Sequence, residues 1–179
     1  MTARSEVLFI GGRAGVGKST VGYEVHARLS DARVRHCLIE GDNLDMAWPT
    51  PHARGLHLAE QNLAVMWFNY RAHGYRRMIY TNTASVFADV IGMLTAAMGD
   101  SPSVTAVLLT CSDTTARERL AVREISDEEL DAHIERSDVM ARRLDRLAPA
   151  WVHRVPTDAR FVADIADEII TLAGWTDEG

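Results

Sequence analysis

Gly12-Arg13-Ala14-Gly15-Val16-Gly17-Lys18-Ser19 decides how the rest of this chain is read. It fits the pattern G-x-x-x-x-G-K-[ST], and its flanks are what that pattern needs. Before it, Val7-Leu8-Phe9-Ile10 is a short apolar run that reads as a buried strand. After it, the segment from Thr20 to Leu29 carries apolar residues at helical spacing. In a strand–loop–helix unit of this kind, glycines let the backbone curl so that successive N–H groups converge on phosphate oxygens. The helix N-terminus adds partial positive charge. Lys18 reaches the outer phosphates, and the Ser19 hydroxyl is a ligand for Mg²⁺. Gly12, Arg13, Ala14, Gly15, Val16, Gly17, Lys18, Ser19 and Thr20 are therefore the candidate residues for holding a nucleoside triphosphate.

The 179 residues suit one domain with a substantial core. Hydrophobic residues make up 47% and charged ones 25%, as in ordinary globular proteins. A net charge of −6 argues against general nucleic-acid binding, which needs a basic face. No apolar run approaches the ~18 residues of a membrane span. Met1 to Glu6 lead directly into the first strand, leaving no room for a signal peptide. Cys37 and Cys111 each sit in an apolar strand-like run and read as reduced core thiols. These features together point to the cytoplasm.

Strand-like and helix-like segments alternate along the chain, which predicts an α/β domain with a parallel sheet. Strands are expected at 6–11, 35–40, 78–80, 104–109 and 151–155. Helices are expected from the glycine-rich loop to Leu29, at 57–72, 86–98, from Thr114 to about Arg123, at 127–147 and at 161–172. Five strands joined by helices make a three-layer α/β/α sandwich, with ligands at the carboxyl ends of the strands.

Strand two ends in Glu40-Gly41-Asp42-Asn43, on that ligand side. Gly41 would let the chain turn close to a phosphate or sugar. Asp42 could accept a proton from a substrate hydroxyl or hold Mg²⁺ through water, and Gly-Asp-Asn is equally a common turn. Thr81-Asn82-Thr83 after strand three either hydrogen-bond a polar substrate or cap the next helix. No aspartate stands at that point, so metal assistance would fall to Ser19 and Asp42. Arg119 and Arg123 lie four apart on one helical face, with Arg136 further on. They suit a transferring phosphoryl group, but the interleaved glutamates suit a solvated helix, and composition alone favours the latter. Thr157 or Asp158 could cap the last helix. The seven histidines have no metal-ligand spacing and read mostly as surface or strand-end residues. Trp48, His52, Arg54 and His57 either recognise an acceptor or pack a loop.

The glycine-rich loop together with Gly41-Asp42-Asn43 resembles the small-molecule kinases of the P-loop superfamily. Gly41-Asp42-Asn43 is similar to the segment of adenylyl-sulfate kinases, Gly41-Asp42 to that of gluconate kinases, and chloramphenicol phosphotransferases carry an aspartate in the same place. The resemblance implies the P-loop nucleoside triphosphate hydrolase fold, ATP and Mg²⁺ as cofactors, and a hydroxyl-bearing small molecule as acceptor. It implies that Asp42 is base or substrate ligand. Arg-Leu-x-x-Arg, here Arg119 to Arg123, is similar to the start of the lid in gluconate and adenylate kinases, with Arg136 resembling a third lid arginine. A small helical lid at about 124–135 follows from this. Pro156-Thr157 resembles the loop that cups adenine. Rival readings are a nucleotide-gated NTPase that signals to a partner, and an antibiotic-modifying kinase.

Overall fold

Strand β1 (Glu6–Gly11) is buried from Val7 onward because it lies at the centre of a sheet covered on both faces. The computed structural model describes residues 4–122 and 126–175. In it β1 is flanked by β3 (Arg77–Thr81) and β4 (Ser103–Thr110), with β2 (Cys37–Glu40) and β5 (His153–Pro156) at the edges. The order is β2-β3-β1-β4-β5, and every pairing is parallel. A parallel sheet needs crossovers on its faces, which is why its strands read as continuous apolar runs.

Alternate residues of each strand enter different cores. Val7 and Phe9 point to one face with Trp67 of α2 (Leu58–Ala72) and Leu94 of α3 (Ala88–Met98). Leu8 and Ile10 point to the other, against Val25 of α1 (Lys18–Asp31) and Ile169 of α6 (Val162–Ala173). Each such side chain contributes about 1.5–3 kcal/mol of transfer free energy. The remaining helices are α4 (Asp113–Ala121) and α5 (Asp127–Leu147). Leu144, in the last turns of α5, reaches the first core.

The boundaries move where packing overrides pattern. Val86 and Phe87 are apolar and buried but precede α3, which starts at Ala88. Trp151 is exposed and lies before β5. Of the stretch expected to form a small helical lid at about 124–135, the part from Asp127 on is the start of α5, opened by a capping box of Ser126 and Glu129. Residues 123–125, Arg123 among them, lie outside the described residues. Cys37 and Cys111 are free thiols, and burial pushes Cys37 up to about 12. No described helix is long and apolar enough to cross a membrane.

His36 is buried just before β2. Its Nδ1 lies 2.7 Å from the Val34 carbonyl oxygen, which makes Nδ1 the donor. Nε2 is then the acceptor for His26 Nδ1, 2.8 Å away. Burial, with His26 and Arg77 nearby, holds the His36 pKa below its ordinary value. The unfolded chain therefore takes up this proton first. The stability is complete above the unfolded pKa of about 6.5 and falls as pH drops toward the folded value. Denaturant titrations between about pH 7.5 and about pH 5 should show a smaller acid-side loss in His36→Gln than in wild type. Parallel curves would rule out this contribution.

Candidate functional site

The loop after β1 turns back over the carboxyl end of the sheet through Gly12, Gly15 and Gly17, all at positive φ. Gly15 shows why no side chain fits: at φ 83° an added Cβ would stand 2.7 Å from the Ala116 carbonyl oxygen. Val16, by contrast, drives its side chain into the core and pins the loop. Gly17 is the N-cap of α1 and brings no side chain to that end. The N–H groups of Lys18, Ser19 and Thr20 have no acceptor within the helix. Lys18 is half-buried rather than fully exposed, its Nζ donating to the Arg13 carbonyl at 3.2 Å.

A cleft of 350 Å³ opens in front of this loop. Lys18, Ser19 and Thr20 line it with Asp42, Thr83 and His133. β2 delivers Asp42 through a short 3₁₀ turn, Gly41–Asn43. Gly41 is buried in that turn for a different reason from the one expected: an added Cβ would lie 2.5 Å from the Tyr80 hydroxyl oxygen. Tyr80 itself is pushed well above its usual range by burial and by Asp42, so it stays neutral. Asn82 does not cap α3, whose N-cap is Phe87. Its amide Nδ2 donates to Asp42 Oδ1 at 2.6 Å, and its Oδ1 accepts the Ala84 N–H at 2.9 Å. The Asp42 carboxylate is thus oriented from β3 although it is carried by β2.

Glu40 is the site residue that sequence reasoning passed over. Ser19 Oγ donates to its Oε2 at 3.0 Å, while its Oε1 is buried without a partner among the described residues. A hydroxyl, an orphaned carboxylate oxygen and the nearby Asp42 are hard oxygen donors, the set Mg²⁺ takes when phosphates supply its other ligands. Among the described residues no three His, Cys, Asp or Glu form a metal cage of their own. The position of Glu40, one residue before Gly41-Asp42, was the available signal.

The arginines take separate places around the loop. The Arg13 backbone belongs to the loop, but its side chain turns away and is buried at 3% exposure. Its Nε donates to Ser137 Oγ at 2.9 Å, and its two terminal nitrogens pair with Asp113 and Asp138. Ser137 Oγ in turn donates to the Ala14 carbonyl at 2.9 Å. Arg119 braces the loop from behind, with Nη1 donating to Val16 O at 2.9 Å and to Thr157 Oγ1 at 3.1 Å. Pro156 closes β5, and Thr157 is buried beside the loop. The cap of α6 is Phe161, and Asp158 accepts instead from the Ser112 N–H at 3.0 Å. Arg136 is exposed on α5, and one turn earlier His133 lines the cleft. Trp48 is 92% exposed, so it packs no loop here.

A five-stranded parallel sheet of this order, with a phosphate-type loop between its central strand and the first helix, defines the P-loop kinase fold. Solved structures of small-molecule kinases match it over nearly their whole lengths. Gluconokinase from Sinorhizobium meliloti 1021 aligns at a TM-score of 0.61 and 18% identity, over 95% of this chain and 92% of that one. The Mycobacterium tuberculosis APS kinase in complex with AMPPNP and APS aligns at 0.58 and 17%, over 96% and 98%. The Deinococcus radiodurans tunicamycin resistance protein aligns at 0.61 and 16%, over 96% of both chains. No protein-family model matches the sequence, and no curated protein matches it either.

Removing the Arg13 side chain leaves Asp138 and Ser137 without their buried partner. Arg13→Ala should lower the unfolding free energy by about 3 kcal/mol, on the scale of a broken buried ion pair. Urea denaturation measures this, and a loss under about 0.5 kcal/mol would show the network to be dispensable.

Proposed function

We propose that this protein is an ATP-dependent phosphotransferase that moves the γ-phosphate to a hydroxyl of a small polar molecule. The observation that carries the reading is the shared cleft. Lys18 and Ser19 of the loop and the Asp42 carboxylate just past β2 line one cavity. A phosphate donor site and an acceptor-side base must be that close for direct transfer.

The loop N–H groups and Lys18 would hold the β- and γ-phosphates, and Ser19 with Glu40 or Asp42 would hold Mg²⁺. Mg²⁺ bound there offsets charge that builds on the transferred group. Asn82 occupies Asp42 Oδ1, so Oδ2 is the oxygen available to the acceptor hydroxyl. Asp42 takes that proton as the oxygen–phosphorus bond forms and the bond from the γ-phosphorus to the bridging oxygen breaks, releasing ADP. Arg119 and Thr157 fix the loop and the wall on which adenine would lie. The first turns of α5, with His133, close over the phosphates and exclude water. Arg123 and Arg136 would add charge to that closing segment.

The acceptor is best sought by a screen that starts with gluconate, shikimate, adenylyl sulfate and tunicamycin, since proteins of this fold carry those names. A signalling NTPase would release ADP at one rate whatever acceptor is added. Acceptor-stimulated ADP release therefore tests the reading directly.

Three variants sharpen it. Lys18→Ala should cut transfer about a hundredfold or more with the fold intact. Turnover within threefold of wild type would remove the loop from the chemistry. Asp42→Asn should leave ATP affinity, read by calorimetry, near wild type while transfer falls about a hundredfold to ten-thousandfold. Parallel loss of ATP affinity at limiting Mg²⁺ would make Asp42 a metal ligand instead. Asn82→Ala should cost transfer about tenfold without changing ATP affinity, because it frees the base rather than removing it.

A further inference from the structure

The amino ends of the strands form the edge of the sheet opposite the phosphate loop, and two clefts meet there at Arg35. One, of 420 Å³, is lined by Arg4, Arg33, Arg35, Arg76 and Arg77, with Glu6 as the carboxylate among them. The other, of 590 Å³, is lined by Arg35 together with Asn69, Tyr70, His73 and Tyr75. In a chain of net charge −6, five guanidiniums around one carboxylate are a local reversal of sign.

Glu6 pairs with Arg77, and four further guanidiniums line the cleft. Glu6 Oε1 accepts from Arg77 Nε at 3.3 Å, and its Oε2 from the Trp175 indole at 2.7 Å. Arg4 and Arg76 are held by neutral carbonyls: Arg4 Nε donates to Ser101 O at 2.9 Å, and Arg76 Nη1 to Tyr75 O at 2.7 Å. They are fixed in place with their charge intact. The side chains of Arg33 and Arg35 form no hydrogen bond or ion pair with any described residue. Guanidiniums in excess of the described carboxylate make a favourable seat for an anion, and guanidinium forks suit phosphate oxygens best.

The neighbouring cleft has a different chemistry. The Tyr70 and Tyr75 rings pack edge to face, centroids 5.4 Å apart. Burial raises the Tyr70 phenol above its ordinary value, so it remains a neutral donor. The Asn69 amide offers a paired donor and acceptor, the set that reads the edge of a planar heterocycle. An aromatic wall with an amide, joined through a shared arginine to a basic cleft, is complementary to a heterocycle carrying phosphates.

We infer that this edge of the sheet is a second nucleotide-binding site, with the base against Tyr70, Tyr75 and Asn69 and the phosphates on Arg33 and Arg35. A strand of five or six residues spans about 17–20 Å, so one nucleotide cannot reach both this site and the phosphate loop. The site is independent of the proposed kinase reading.

Equilibrium dialysis of the full chain with ADP tests it. Wild type should bind two ADP per chain. Arg33→Ala/Arg35→Ala should weaken one of these about thirtyfold or more and leave the other unchanged, since two charge-assisted contacts are lost. Both side chains are exposed, so circular dichroism should be unaltered. Lys18→Ala should weaken the complementary site. Tyr75→Ala should weaken ADP but not tripolyphosphate at the distal site. Two sites of unchanged affinity in the double arginine variant would overturn the proposal. So would a single wild-type site that is lost in Lys18→Ala, or tripolyphosphate binding at the distal edge without ADP. A single site lost only in the arginine variant would uphold this inference and overturn the phosphate-loop assignment instead.

Discussion

The buried guanidinium of Arg13 is the contact on which the shape of the proposed site depends. It sits inside the glycine-rich loop, at a position where the motif tolerates any residue. From there it reaches Asp113 on α4 and Ser137 and Asp138 on α5. A charge buried at 3% exposure is tolerated only because carboxylates and a hydroxyl satisfy it. The result is a loop that cannot shift without moving the helices beyond the sheet. The same helix α5 carries His133 into the cleft, so the cleft and the brace share one helix.

A second layer of support lies under Asp42. Its carboxylate comes from β2, its orienting amide from β3, and its backbone turn rests on the Tyr80 hydroxyl. Two side chains far along the chain from Asp42, Tyr80 and Asn82, thus fix its turn and one of its oxygens, and the parallel pairing of β2 with β3 sets their register, Glu40 beside Thr81. Pre-orientation of this kind is what a base needs to act without reorganisation.

Charge is partitioned along the strand direction. The carboxyl ends present Glu40 and Asp42 beside Lys18. The amino ends present Arg4, Arg33, Arg35, Arg76 and Arg77. Because all five strands are parallel, residues just before β1, β2 and β3 converge on one edge even though the sequence separates them widely. Overall net charge is silent about such a division.

The sequence by itself determined the fold class, the strand and helix order, and the phosphate-type loop. Those features are local: an apolar run, a glycine spacing and a helical period occupy neighbouring residues and need no knowledge of the rest. It also placed Asp42 at the right end of the sheet, because strand ends are local too. Tertiary structure decided the rest. Arg13 reads as a loop residue and is a brace. Arg119 reads as a lid arginine, and its contacts to Val16 and Thr157 come only from the fold. His133 reads as a surface histidine and lines the cleft, while Arg136, one helical turn away, does not. Glu40 gains meaning only when Ser19 is brought 3.0 Å from it. Long side chains choose partners across the fold, where a change of one position in a helix rotates a group by about 100°. That choice depends on which elements meet, and packing of the two cores on the sheet settles it.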